Sequence, residues 1–213
     1  MPRKPRRRKA SATKSRRRLA NVLKQSKKQV YKHESHLFEV KTMLEFDIEK
    51  HLSKLISAAE RKRKPKVLDL GCGSGLTLKD LKILFKENIE LTGVSNRREA
   101  AWSKTKGINW RVGHAQALKK KFKPNHFDFI FSHIGLQAVT SFKEVLENVH
   151  TVLKPGGLFI CVLPVSSKWN KKVIDREKFD VIYSRTEGLE FINPVKPGFK
   201  LALFHLRKRP FNA

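Results

Sequence analysis

The glycine-rich stretch VLDLGCGSGL, residues 67–76, carries the residue types and spacing that point most directly to chemistry. Its glycines are Gly71, Gly73 and Gly75, and Asp69 precedes them at the end of an apolar run. Dinucleotide-binding loops read G-x-G-x-x-G, because a pyrophosphate approaches a helix N-terminus there, and P-loops end in Gly-Lys-Ser/Thr. Neither pattern is present. An acid followed by G-x-G-x-G suits a ligand that carries a positive sulfonium and an amino-acid group.

The elements around this stretch alternate between strands and helices. Short apolar runs predict strands over 66–70, 89–94, 108–112, 126–134 and 156–164, and helical periodicity predicts helices over 74–87, 96–107 and 141–154. Two further strands, 188–194 and 199–209, are joined by a turn at VKPG. Such alternation predicts a doubly wound, mostly parallel α/β sheet with helices on both faces. A sheet of this kind binds its ligand beyond the carboxyl ends of the strands, where the glycines lie.

The chain divides into three segments. Residues 1–33 form a basic tail, which we expect to be disordered alone or ordered by RNA. Residues 34–64 contain one helix, with apolar residues at helical spacing from Val40 to Ala59, and a charged linker. The α/β domain occupies residues 65–213.

The charge of the chain predicts a polyanionic partner. The formal net charge is +28, and residues 1–33 hold 14 of the 47 Lys and Arg residues and none of the 19 acids. The remaining residues are also basic, so the expected partner is RNA or a ribonucleoprotein. The presence of only two cysteines favours a reducing compartment. The sequence has no apolar run of the length that a membrane span needs. Cytoplasm is the expected location, or the nucleus or nucleolus in a eukaryote, and the oligomeric state stays open.

The stretch LDLGCGSGL resembles the first motif of the class I S-adenosylmethionine-dependent methyltransferases. The resemblance continues through HFDFIFSHIGLQAV and FKEVLENVHTVLKPGGLFICVLP, which are similar to the fourth strand, helix and fifth strand of the methyltransferase 11 type. It covers roughly residues 66–164 and implies a Rossmann-like, seven-stranded sheet with S-adenosyl-L-methionine as cofactor.

The resemblance also implies which residues hold that cofactor. The backbone at Gly71, Gly73 and Gly75 would pass close to its methionine part, and Asp69 would organise the loop or receive the amino group through water. The full implied set is Asp69, Gly71, Cys72, Gly73, Gly75, Ser95, Asn96, His114, Ala115 and Ser132. No metal site is predicted and the catalytic residues stay unknown. His133 is a candidate base or a wall of the site.

Two positions depart from the family pattern. Members usually carry an acid for the ribose hydroxyls at the end of the second strand, where this chain has Ser95, and often an Asp for adenine where it has His114. A hydrogen bond to a charged group contributes about 1.5–3 kcal/mol, against roughly 0.5–1.5 kcal/mol for a neutral one. Weaker cofactor binding is therefore expected.

Three functions stay open at this point. The first is a methyltransferase that acts on RNA or a ribonucleoprotein. The second is an inactive methyltransferase fold that serves as an RNA-binding or ribosome-assembly protein, which the neutral residues Ser95 and His114 favour. The third is a methyltransferase of small molecules in which the basic tail serves only targeting.

Overall fold

The computed structural model describes residues 36–59, 63–133, 135–136, 139–164, 179–185, 190–191 and 199–209. The basic segment 1–33, with its predicted disorder, lies outside the described residues. Within them, no helix is both long enough and apolar enough to cross a membrane.

The N-terminal region forms two helices, α1 (His36–Leu44) and α2 (Ile48–Ala58). The prediction of one continuous helix is therefore wrong. Glu45 adopts a left-handed φ of 47°, which ends the first helix. The Asp47 side chain then accepts a hydrogen bond from the Lys50 amide at 2.8 Å and starts the second, as an N-cap residue does.

The rest of the described chain supplies two longer helices and eight strands. The helices are α3 (Leu76–Phe85) and α4 (Phe142–Val152), and short 3₁₀ turns occupy Lys86–Asn88, Ala100–Lys104 and Ala115–Lys120. The strands are β1 (Lys66–Leu70), β2 (Glu90–Ser95), β3 (Ile108–Val112), β4 (Phe127–Ser132), β5 (Leu153–Pro164), β6 (Phe179–Arg185), β7 (Glu190–Phe191) and β8 (Phe199–Lys208).

The strands follow the order β3-β2-β1-β4-β5-β8-β6, and β7 pairs with β8 to one side. Strands β1 to β5 run parallel, whereas β8 is antiparallel to both β5 and β6. This confirms the predicted doubly wound, mostly parallel sheet. The order reverses between β1 and β4, so the carboxyl end of β1 opens at a switch point where ligands bind.

One local prediction is wrong and one strand was missed. Residues 96–107 form a 3₁₀ turn at Ala100–Lys104 instead of a helix. There the Ser103 hydroxyl bonds the Ala100 carbonyl at 2.9 Å, and such local side-chain bonds compete with a helix. Of the predicted strand 188–194, Glu190–Phe191 form β7, and the other residues lie outside the described ones. On the side away from β5, β8 pairs with β6, a strand that the sequence pattern did not identify.

Both faces of the sheet are buried by helices. Because side chains alternate along each strand, neighbouring residues pack on opposite faces. On one face Val67, Phe129 and Phe131 pack with α1, α2 and α3. On the other, Leu68 and Ile130 pack with α4. Helices on both faces leave the strand ends as the place for a ligand.

Candidate functional site

The loop after β1, residues 71–75, turns sharply and is held from below by β2. We call it the glycine loop. Gly71, Gly73 and Gly75 all have left-handed φ values, of 85°, 50° and 76°. The Gly71 and Cys72 amides both donate to the Val94 carbonyl, at 2.8 and 3.0 Å. A backbone of this shape favours glycine at each of these three turns.

The three glycines nevertheless make room for different things. A Cβ on Gly71 would stand 2.4 Å from the Cα of Gly135, in the loop after β4. A Cβ on Gly75 would stand 2.2 Å from the Trp110 ring. Around Gly73 no atom of the described residues lies within 4 Å of the same position. Gly71 and Gly75 therefore admit parts of the protein itself, and Gly73 faces open space.

The Asp69 carboxyl lies beneath this loop and is only 4% exposed. Burial raises its pKa to about 8, because a carboxylate loses its hydration there. Within the described part of the chain, no side chain or amide donates a hydrogen bond to it. A buried carboxyl that lacks a partner would be stabilised by a positive group placed beside it.

The predicted nucleoside end lies at the tips of β2 and β3. Ser95 is the last residue of β2 and is buried, and its carbonyl accepts the Gly113 amide at 2.8 Å. Asn96 and His114 are exposed, and Ala115 is half-buried where a 3₁₀ turn begins. The structure thus brings these residues to the same edge of the sheet as the glycine loop, with no carboxylate at either family anchor position.

Two other predicted residues, Ser132 and Cys72, have structural contacts. The Ser132 hydroxyl is fully buried and donates to the Leu70 carbonyl at 2.6 Å, which ties the ends of β4 and β1 together. The Cys72 thiol lies close to Gly93, and burial raises its pKa, so it stays protonated. Their part in holding a cofactor stays a prediction.

His133 follows β4 and faces the first helix. Its Nε2 lies 3.0 Å from the Met43 sulfur, and its ring meets that of His36 edge to face at 5.7 Å. Burial lowers the pKa of His133 to about 4, which leaves it neutral and weakly basic at pH 7. The geometry thus favours a wall of the site over a proton acceptor.

Four residues that shape this region were not predicted from the sequence: Gly93, Trp102, Trp110 and Gly135. Trp102 donates its indole N–H to the Gly73 carbonyl at 2.9 Å, and its ring stacks on Trp110 at 5.1 Å with planes 7° apart. A Cβ on Gly93 would meet the Trp110 ring at 2.7 Å. A lone glycine inside a strand, as at Gly93, was the available signal, because it often marks close packing of a bulky group.

Comparison with known proteins agrees with this geometry. Residues 68–161 match the methyltransferase 11 family, described as a methyltransferase domain. A demethylmenaquinone methyltransferase from Staphylococcus aureus is 32% identical over 101 residues, which are 46% of this chain and 42% of that protein. The chain thus aligns with less than half the length of this curated relative.

Solved structures show the same fold at low sequence identity. A methyltransferase from Methanosarcina mazei, named as dependent on S-adenosylmethionine, has a TM-score of 0.54 at 17% identity and covers 70% of this chain and 94% of its own. The [4+2]-cyclase SpnF has a TM-score of 0.51 at 15% identity and covers 75% of this chain and 81% of its own. Since a cyclase shares it, the fold alone leaves the reaction open.

Proposed function

We propose, from the premise that residues 68–161 form a class I S-adenosylmethionine-dependent methyltransferase domain, that this chain transfers a methyl group to RNA or a ribonucleoprotein. The cofactor proposed is S-adenosyl-L-methionine, and its site is the carboxyl end of β1 and β2.

The observation that carries the cofactor proposal is that the buried Asp69 carboxyl and the open space at Gly73 belong to the same loop region. The Asp69 carboxyl is buried without a partner among the described residues, and the space beside Gly73 is open. S-adenosylmethionine, when bound, supplies a methyl group on a positive sulfur, and it also carries an ammonium group. A positive ligand above the glycine loop would stabilise the carboxylate of Asp69.

The remaining residues of the proposed cofactor site hold the nucleoside. Ser95 and Asn96 would bond the ribose, and His114 with the backbone at Ala115 would bond the adenine. All are neutral or weakly basic, so we expect weaker binding than in relatives with acids at these positions. Methyl transfer from a sulfonium needs alignment of the two reactants and exclusion of water. Positioning of the reactants alone can lower the activation barrier by about 7–11 kcal/mol.

The RNA or ribonucleoprotein acceptor is supported by charge. Residues 1–33 hold 14 Lys and Arg residues without an acid, and the other 180 residues hold 33 against 19 acids. Phosphate contacts from both parts would provide affinity without sequence preference. A protein with this role would work in the cytoplasm, or in the nucleus or nucleolus of a eukaryote.

Two alternatives are favoured by specific observations. The similarity to a protein named demethylmenaquinone methyltransferase favours a small-molecule acceptor. The neutral Ser95 and His114 favour an RNA-binding protein without transferase activity. The net charge of +28 leads us to place RNA first.

Calorimetric titration of the full chain with S-adenosylmethionine and with S-adenosylhomocysteine tests the cofactor. Binding of both is expected, and no heat from the folded protein at about millimolar ligand would contradict the proposal of a transferase. Isotopically labelled cofactor then reports the acceptor. Label in the RNA fraction of a cell extract, lost on ribonuclease treatment, supports RNA, whereas label in an organic-solvent extract supports a small molecule.

A further inference from the structure

One edge of the sheet is formed by β3. Among the described strands β3 pairs with β2 alone and stands first in the sheet order. Asn109 and Arg111 are exposed along it, and Val112 is 46% exposed at its end. The exposed side chains of β3 therefore meet solvent at this edge of the sheet.

The segment around this edge is strongly positive. Residues 97–123 comprise β3 with the 3₁₀ turns before and after it, and we call them the basic edge. They contain one acid, Glu99, and nine cations: Arg97, Arg98, Lys104, Lys106, Arg111, Lys119, Lys120, Lys121 and Lys123. Arg97 pairs with Glu99 at 2.9 Å, and in the described part of the chain the other eight cations form no ion pair. Their charge is available to a partner.

A cavity of about 270 Å³ opens at the same edge. We call it the indole slot, and it is lined by Arg98, Trp102, Ser103, Trp110 and Val112. Two indoles, an aliphatic side chain and a guanidinium form its walls, and no acid lines it. Its volume is below the roughly 300–1,000 Å³ of sites that enclose a whole small molecule, so it suits one flat ring of a larger ligand.

The slot is rigidly built. Trp110 lies against Gly75 and Gly93, each of which lacks the Cβ that would collide with its ring, and its indole N–H donates to the Thr105 carbonyl at 3.3 Å. Trp102 is 5% exposed and is held by the Gly73 carbonyl. Because these side chains are already ordered, a ring that enters the slot would order little else.

We propose that the basic edge binds single-stranded RNA, with one base in the indole slot beside Arg98 and the neighbouring phosphates on other cations of the same segment. Aromatic side chains flanked by Lys and Arg are the means by which proteins hold single strands, since every base has a π-face. A duplex keeps its bases stacked inside and out of reach of such a slot. The choice of RNA over DNA rests on the proposed function.

A second cavity, of about 360 Å³, lies at the opposite end of the strands and fits this role poorly. Its lysines face glutamates: Lys82 and Lys64 lie 2.6 and 4.0 Å from Glu87, and Lys66 lies 3.5 Å from Glu90. Their charge is already compensated, so phosphates gain little there.

The charge of the basic edge is tested by fluorescence anisotropy on the full chain with a labelled oligouridylate of about 12 nucleotides, a length that single-strand binding folds cover. The variant K104Q/K106Q/R111Q is compared with K50Q/K54Q/K143Q, which removes the same number of exposed cations from α2 and α4. We expect the first to weaken binding about tenfold and to lower the salt slope by about 2. Equal effects of the two variants would overturn the proposal.

The indole slot is tested by two exposed aliphatic residues in the same assay. Val112→Glu places an acid at the slot, and the matched Ile83→Glu places one on α3, where Ile83 is 42% exposed. We expect at least a fivefold loss for the first and less than twofold for the second. An abasic oligomer of the same length should bind at least fivefold more weakly than oligouridylate, since stacking contributes about 1–3 kcal/mol per base. Equal affinity for the two oligomers would overturn the slot.

The fluorescence of the two tryptophans in the indole slot provides an independent measurement of base binding. In a Trp169→Phe background the remaining tryptophans are Trp102 and Trp110, and oligouridylate should quench them while the abasic oligomer should not. A deoxyuridylate or an RNA duplex that binds more tightly than oligouridylate would overturn single-stranded RNA as the ligand. These measurements omit S-adenosylmethionine, so a failure to transfer methyl groups leaves them readable.

Discussion

The glycine loop and the basic edge are neighbours with opposite electrostatic character. They meet where the Trp102 indole donates to the Gly73 carbonyl. The glycine loop holds one buried carboxyl, Asp69, beside an open backbone, whereas the basic edge holds nine cations, most of them exposed. The glycine loop would select a ligand by shape and one charge, and the basic edge would attract one by a long-range electrostatic field.

Because of this difference, the affinities of the two proposed ligands, the cofactor and RNA, would depend on different properties of the protein and the solution. Binding at the glycine loop would depend on the open space at Gly73 and on the ionisation of Asp69, whose carboxyl is shielded from salt by burial. Binding at the basic edge depends on the number of phosphates contacted and weakens steeply with salt. A variant that affects both ligands equally would mean that the two regions act as one.

The largest effect is expected at Gly73. Gly73→Leu fills the open space above the glycine loop and should weaken S-adenosylmethionine binding by at least about 100-fold, or about 2.8 kcal/mol. Gly156→Leu is the matched control, because Gly156 also has a left-handed φ, 73°, and open space, on the distant strand β5. Calorimetry should show that the control still binds the cofactor, and anisotropy that both variants still bind RNA. Cofactor binding retained in Gly73→Leu would place the site elsewhere.

How much of this could be read from sequence depends on the range of the interactions involved. β1 and β3 have the predicted bounds, because short apolar runs between turn residues are a local signal. The break at Glu45–Asp47 was also locally encoded, since Asp47 is a good N-cap residue before Ile48. The apolar spacing that continues across the break concealed it.

The tertiary part of the site was out of reach. Trp102 and Trp110 are eight positions apart with no shared motif, and their stacking depends on how the chain returns from the 3₁₀ turn to β3. The contact between Gly71 and Gly135 likewise joins two loops that only the sheet order brings together. Motif spacing predicted the identity of the glycine loop and missed what fills two of its three glycine positions.

The second effect concerns Asp69 and pH. Since its pKa is about 8, the carboxyl is neutral at pH 6, and a positive ligand must drive off its proton before pairing with it. S-adenosylmethionine affinity should therefore rise toward tenfold per pH unit from pH 6 and level off above pH 8. Asp69→Asn should flatten this profile and weaken binding at pH 9 by about 30-fold, the scale of a charged hydrogen bond. A pH-independent affinity of the unaltered chain would contradict this.

The same residue gives a control in the free protein. Above a pKa of about 3.9 the unfolded chain ionises Asp69, whereas the folded chain keeps it protonated up to pH 8. The folded state binds the extra proton, so this residue's contribution to the free energy of unfolding falls as pH rises from 4 to 8. Asp69→Asn should remove that decline, measured by thermal melting across the same pH range.

A smaller effect separates two serines at neighbouring strand ends. Ser95→Ala should weaken S-adenosylmethionine binding about fivefold, the scale of a neutral hydrogen bond, with little change in melting temperature. Ser132→Ala should do the reverse, because its hydroxyl is bonded to the Leu70 carbonyl and its loss costs about 1–3 kcal/mol of stability. Calorimetry and melting curves on both variants check this. A loss of affinity in Ser132→Ala at unchanged stability would give that hydroxyl a direct part in binding.

The smallest effect is expected at His133, where the choice lies between transfer by positioning and transfer with a base. Burial lowers the pKa of this imidazole to about 4, and its Nε2 contacts Met43, so it is a poor proton acceptor. Removal of a working general base costs about 100- to 10,000-fold in rate. We expect His133→Gln to change kcat less than about threefold, with the pH profile of kcat unchanged between pH 6 and 8. A rate loss of the larger size, together with a changed profile, would mean that the glycine-loop region supplies proton transfer as well as shape.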